Sequence, residues 1–214
     1  MDLPTMEDSK IIFALDVYDR DTGIELAKNL ADQVFAIKVN WPIILENGIK
    51  IISELSKYSK IICDFKLADV ENTDKLITEK VAQYGAWGII SHAFTGIKSL
   101  RAVVKSAGQM KVFSVVSMSQ ESYIDNVYDK LVDDSLKAGV FGLVAPANRP
   151  DRLKKIRDIS GDIKIIAPGV GAQGGNIISA IMAGADYIII GRSIYDSPDP
   201  IGAIKKFNDE ATKL

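Results

Sequence analysis

The sequence predicts an α/β fold, a closed (β/α)8 barrel forming a single domain over residues 1–214. Three observations carry that expectation. Short apolar, β-branched runs recur eight times along the 214 residues, with helically spaced apolar residues between them. The runs are almost continuously apolar, as parallel strands covered on both faces must be. Polar residues gather at their C-terminal ends, where barrels of this kind build their sites. An open doubly wound sheet is the alternative. It is disfavoured because no Gly-x-Gly-x-x-Gly follows the first run; Asp16-Val17-Tyr18-Asp19-Arg20 stands there instead.

The elements follow in order. The first strand is expected near 11–16, ending at Asp16, and the second near 34–39, ending in Lys38-Val39-Asn40. Ile43, Ile44, Ile49, Ile52 and Leu55 then have helical spacing. The third strand, near 60–65, is the run Lys60-Ile61-Ile62-Cys63 leading into Asp64-Phe65-Lys66. Leu76, Ile77, Val81 and Tyr84 mark the next helix. The fourth strand lies near 87–91 and runs into Ser91-His92. The fifth, near 111–117, runs into Ser117-Met118-Ser119-Gln120, and the sixth lies near 140–145. The seventh, near 163–167, ends in Pro168-Gly169-Val170-Gly171-Ala172-Gln173-Gly174-Gly175. The eighth, near 186–191, ends in Gly191-Arg192-Ser193.

Bulk composition narrows the function. Hydrophobic residues at 47% and charged residues at 25% give an ordinary globular balance. A net charge of −2 without a basic stripe argues against a nucleic-acid partner. No apolar stretch approaches the length of a membrane span. Met1 to Lys10 carries three acids and no apolar core, so no signal peptide is expected. Cys63 is the single cysteine, so no intrachain disulfide forms, which suits a reducing, cytoplasmic setting. Within a strand its expected role is that of a small buried hydrophobe.

Asp64-Phe65-Lys66-Leu67-Ala68-Asp69 is the most informative segment. Side chains on a strand alternate faces, so Asp64 and Lys66 point the same way, with Asp69 just past the strand end. Charges at the mouth of a buried strand are costly unless they do chemistry. If the second strand shares the sheet, Lys38 joins them and four alternating charges converge. The plain alternative for Asp64 and Lys66 is a structural ion pair. The glycines of loop seven, with Gly191-Arg192 in loop eight, fit a phosphate grip of backbone N–H groups, helix N-termini and a guanidinium. His92, the single histidine, carries no assigned role, and Trp41 and Trp87 read as packing residues.

Asp64-x-Lys66-x-x-Asp69, together with Pro168-Gly169-Val170-Gly171, Gln173-Gly174 and Gly191-Arg192-Ser193, resembles the orotidine 5′-monophosphate decarboxylase family over nearly the whole chain. The resemblance implies a (β/α)8 TIM barrel that converts OMP to UMP and CO2 in pyrimidine synthesis, with no metal and no organic cofactor. It implies a homodimer in which Lys38, Asp64, Lys66 and Asp69 form the catalytic network, Asp69 being donated by the other subunit. Val70 and Thr73 would lie across that interface. Asp16 and Lys38 would hold the ribose hydroxyls, and Ser119 the pyrimidine. Gln173 would link pyrimidine loop and phosphate, and Gly191 and Arg192 would bind phosphate beside Pro168, Gly169, Val170 and Gly171. The chain departs from the family at Gln120-Glu121-Ser122, where His-Pro-Gly is more usual, and at Glu71, where proline is common.

Loss of CO2 leaves negative charge at C6 in the plane of the ring. An ammonium there stabilises that charge and then protonates the carbon, which suits Lys66. Flanking carboxylates favour its charged form against burial. Asp64 is expected beside the departing carboxylate, either straining the ground state or fixing Lys66. Related sugar-phosphate enzymes, 3-keto-gulonate-6-phosphate decarboxylase and hexulose-6-phosphate synthase, share the motif but bind Mg2+ through a glutamate at the end of strand two. Lys38 stands there in this chain and would repel the metal. A non-catalytic phosphate-ligand sensor would need the Gly191-Arg192 grip but not the clustered charges.

Overall fold

The computed structural model describes residues 9–213, so the expectation of no signal peptide rests, over residues 1–8, outside the described residues. The strands are β1 (Ile11–Leu15), β2 (Ala36–Val39), β3 (Ile61–Leu67), β4 (Gly88–His92), β5 (Lys111–Val115), β6 (Gly142–Val144), β7 (Lys164–Pro168) and β8 (Tyr187–Ile190). Each pairs in parallel with the next, and β8 returns to β1 through Ile12↔Ile189, closing the barrel. The helices that follow are α1 (Arg20–Leu30), α2 (Trp41–Asn47), α3 (Ile51–Leu55), α4 (Glu71–Gln83) and α5 (Ile97–Ala107). They continue with α6 (Tyr128–Ala138), α7 (Pro150–Ser160), α8 (Ile177–Met182), α9 (Arg192–Tyr195) and α10 (Pro200–Ala211). None is long and apolar enough to cross a membrane.

Local chemistry sets several boundaries. The Asp19 carboxylate accepts from the Thr22 N–H at 2.8 Å and starts α1. Asn40 caps α2, with Pro42 in its first turn. The apolar pattern over 43–55 reads as one helix, but the chain breaks it in two. Gly48, at φ 72°, terminates α2 and α3 resumes at Ile51. Leu76, expected on the buried face of α4, is 57% exposed, whereas Val81 is fully buried.

Two apolar layers hold the barrel. Ile12, Ala14, Ala36, Ile62, Ile90, Phe113, Val115, Val144, Ile166 and Ile189 fill its interior. Ile11, Phe13, Ile37, Cys63 and their neighbours face the helices. At the N-terminal end Phe35 stacks on Tyr187 (3.9 Å between centroids) and meets Trp87 edge-on at 5.5 Å. Trp87 in turn packs against Phe113 and Phe141, so it is a packing residue as expected. Trp41 stacks on Phe65 at 4.5 Å.

Candidate active site

The pleat decides what faces the open end. Ala14, Ala36, Ile62, Val115, Ile166 and Ile189 point into the barrel. Two residues onward from each, the same face presents Asp16, Lys38, Asp64, Ser117, Pro168 and Gly191. These residues line one cavity of about 250 Å³.

Charges alternate along one wall. The Lys38 ammonium donates to Asp16 Oδ1 at 3.2 Å and lies 3.2 Å from Asp64 Oδ2. The Lys66 ammonium donates to both Asp64 oxygens, at 2.8 and 2.9 Å. Lys38 and Asp64 are buried. Burial would lower Lys38, but the Asp64 and Asp16 charges outweigh it and hold its ammonium above the usual lysine value. Burial would likewise raise Asp64, and the two lysines outweigh that, leaving its carboxyl below the usual range. The resulting row, Asp16–Lys38–Asp64–Lys66, keeps each buried charge beside an opposite one.

Pleating alone does not deliver Lys66. The β3–β4 register shifts between Cys63 and Leu67, and Lys66 adopts φ 46°, alone among the described non-glycine residues. The strand therefore extends past 65 through a bulge that turns the lysine toward Asp64. Cys63 is buried on the helix side, and burial, with the Asp64 charge, pushes its thiol well up, so it acts as an inert hydrophobe.

Loops seven and eight form the opposite wall. Pro168, Gly169, Val170, Gln173, Gly191 and Arg192 line the cavity. Gly169 (φ 113°) packs where a Cβ would strike Asn148, and Gly171 (φ 73°) where it would strike Ser193. The Ala172 N–H donates to Ser193 Oγ at 3.2 Å, tying the two loops together. Arg192 opens α9 and is exposed.

The β5 loop has an anchor that sequence reasoning missed. Asp125 accepts from Ser117 Oγ (2.8 Å), from the Ser122 N–H (3.1 Å) and from Arg149 (2.9 Å). Burial would raise Asp125, but these bonds hold its carboxyl below the usual range. Ser122 and Asp125 close a reciprocal capping box, so Gln120-Glu121-Ser122 builds an ordered turn in place of His-Pro-Gly. Asn148, after β6, donates to the Ser119 carbonyl at 3.0 Å. The run Pro146-Ala147-Asn148-Arg149 at the end of the sixth strand was the available signal.

The structure thus brings Asp16, Lys38, Asp64, Lys66, Ser119, Pro168, Gly169, Val170, Gln173, Gly191 and Arg192 around one cavity, joined by Asn40, Met118 and Tyr195. Asp69, Val70, Thr73 and Gly171 do not line it. Asp69 and Val70 lie on the surface after β3, with Val70 67% exposed. His92 is buried at the end of β4, where burial and the Lys66 charge hold its imidazole below the ordinary value.

Comparison with known proteins agrees with this geometry. A family model described as "Orotidine 5'-phosphate decarboxylase / HUMPS family" matches residues 9–207. The orotidine 5′-phosphate decarboxylase of Thermoplasma acidophilum is 47% identical over 97% of this chain and 98% of its own. That of Thermococcus kodakarensis is 46% identical over 98% of this chain and 100% of its own. The Methanocaldococcus jannaschii enzyme, solved with the inhibitor BMP, superposes with a TM-score of 0.91 at 38% identity, covering 96% of this chain and 99% of that one. The Pyrococcus horikoshii enzyme gives 0.89 at 42%, covering 95% and 100%. By residues, fold and cavity, the chain belongs to the orotidine 5′-phosphate decarboxylase / HUMPS family.

Proposed function

We propose that this chain decarboxylates orotidine 5′-monophosphate to UMP and CO2, with Lys66 as electrostatic stabiliser and proton donor. The observation that carries the reading is the row Asp16–Lys38–Asp64–Lys66 at the cavity wall. The bond from C6 to the carboxylate breaks, its electron pair stays on C6, and CO2 leaves. The Lys66 ammonium offsets that charge and transfers a proton to C6; solvent then reprotonates the amine. Asp64, bonded to both lysines, fixes the ammonium before substrate arrives. Asp16 and Lys38 hold the ribose, Ser119 the pyrimidine, and Gln173 bridges toward the phosphate. Pro168, Gly169, Val170, Gly191 and Arg192 form the phosphate side, with Gly171 packing that loop against Ser193, and their remote binding energy orders the site. A cytoplasmic setting belongs to the same proposal, supported by the lone buried thiol.

The reading is metal-independent on chemical grounds. The Lys38 ammonium stands within 3.2 Å of both Asp16 and Asp64, the carboxylates that a divalent cation would need. A homodimer that shares its sites completes the proposal, with Asp69, Val70 and Thr73 serving the neighbour's cavity. The support is that Asp69 faces outward in its own chain, next to the exposed apolar Val70, with Leu76 on α4 and Phe94 after β4 exposed as well. Loss of OMP ultraviolet absorbance in the presence of EDTA is the expected result. Activity abolished by EDTA and restored by Mg2+ would reject the metal-independent reading, and no turnover in either condition would reject the decarboxylase.

A further inference from the structure

Outside the cavity, a carboxyl is buried with no cationic side chain paired to it among the described residues. Asp74, in the first turn of α4, is 0% exposed, and its neighbour Ser99 on α5 is 4% exposed. Asp74 Oδ1 accepts the Asp69 N–H at 3.2 Å, and Asp74 Oδ2 accepts from Ser99 Oγ. Ser99 Oγ also lies 3.1 Å from the Asp69 carbonyl oxygen. The Asp69 N–H is therefore held by a side chain of α4, and the single Ser99 proton on α5 is shared between the Asp74 carboxylate and the Asp69 carbonyl, both within its reach. Asp69 Oδ1 in turn accepts the Val70 N–H at 2.6 Å, which fixes its side chain relative to that backbone. Burying a carboxyl here is costly, and a well-packed apolar residue would hold α4 against α5 without that cost. The first turn of a helix offsets part of the penalty through the local N–H groups. What the carboxyl achieves that an apolar residue cannot is to hold the Asp69 amide.

We infer that Asp74 and Ser99 are positioning residues for the decarboxylation, clamping the backbone at Asp69 so that its carboxylate is presented in one orientation. The inference rests on the proposed role of Asp69 in the neighbouring subunit's site. Neither clamp residue lines the cavity, so substrate affinity should not depend on them, whereas turnover should.

The test uses the full chain in its native assembly, with Asp74→Ala, Ser99→Ala and Asp69→Ala measured side by side. Turnover of OMP, the dissociation constant for UMP, and amide hydrogen exchange at residues 69 and 70 are the readouts. Asp74→Ala and Ser99→Ala should each lower kcat by roughly tenfold or more, keep UMP affinity within about threefold, and speed exchange at 69 and 70. Ser99→Ala keeps the carboxylate and removes one hydroxyl, so it decides the question if Asp74→Ala fails to fold. Unchanged kcat in the clamp variants beside an inactive Asp69→Ala would overturn the inference alone. Equal losses of turnover and UMP affinity would also overturn it, by showing general damage to the site. Full turnover in Asp69→Ala would remove the reading of Asp69 and the inference with it.

Discussion

Lys66 combines a left-handed backbone with a charge fixed by both oxygens of one carboxylate. A non-glycine residue at φ 46° costs of order 1–3 kcal/mol, and such strain persists where the surroundings hold it. Here the β3 bulge and the Asp64 pair do so, and the lysine gains a fixed position facing the cavity. Lys66→Ala should therefore keep UMP affinity, because the proposed phosphate and ribose contacts lie elsewhere, while losing nearly all turnover. Steady-state kinetics with isothermal titration of UMP checks this, and a near-normal kcat would make Lys66 purely structural. Arg192 makes the complementary case. It stands exposed at the cavity rim with its guanidinium free to meet an anion. Arg192→Ala should weaken OMP capture by about 1.5–3 kcal/mol, a lost charge-assisted hydrogen bond. The loss in kcat/KM should shrink for a substrate lacking the 5′-phosphate. An equal loss for both substrates would take Arg192 out of the phosphate grip.

At the scale of elements, the β5 loop is held by one carboxylate that collects three donors. The Asp125 carboxyl is held below 3.8, so its contribution is complete above the ordinary carboxylate value. It is lost as pH falls from there through the lower, folded-state value. The Ser122 amide resonance should follow that ionisation with a midpoint below 3.8, and a midpoint at or above it would reject the anchor. The strands were legible because burial on both faces leaves continuous apolar runs, as in Ile61-Ile62-Cys63 and Tyr187-Ile188-Ile189-Ile190. The charges at their ends were legible because acids and amines are out of place there. The β3 bulge was not, since a left-handed lysine leaves no mark in composition. Gly48 splitting one apolar pattern into α2 and α3 was missed because an isolated glycine is also tolerated inside helices. Asp74 and Asn148 escaped notice because Ser99 and Ser119, which they meet, lie on other elements, although Pro146-Ala147-Asn148-Arg149 marked the loop after β6; Asp125 was open to detection from the Ser122-x-x-Asp125 spacing of a capping box.

At the scale of the molecule, the cavity holds three of the four charges expected in the catalytic network, and the fourth faces outward. Lys38, Asp64 and Lys66 line the wall, whereas Asp69 lies on the surface beyond β3. Val70 next to it is 67% exposed, and Leu76 on α4 and Phe94 after β4 are also exposed, at 57% and 52%. A two-fold contact through this face would bury them and carry each Asp69 toward the other chain. The two geometries give opposite results in mixed dimers. Lys66→Ala and Asp69→Ala homodimers should each be nearly inactive. In a heterodimer of the two, one site combines both lesions, and the other holds an intact Lys66 and an intact Asp69. Random reassortment should then restore roughly a quarter of wild-type sites, since about half of the dimers are mixed and each has one good site of two. If Asp69 served its own cavity, every site in every dimer would keep one lesion and mixing would restore nothing. Dimers carrying one tag on each variant, isolated by tandem affinity and assayed for OMP turnover, separate the two outcomes. Recovery near half of wild-type activity per purified heterodimer is expected, and no recovery would place Asp69 in its own chain's site or outside the reaction.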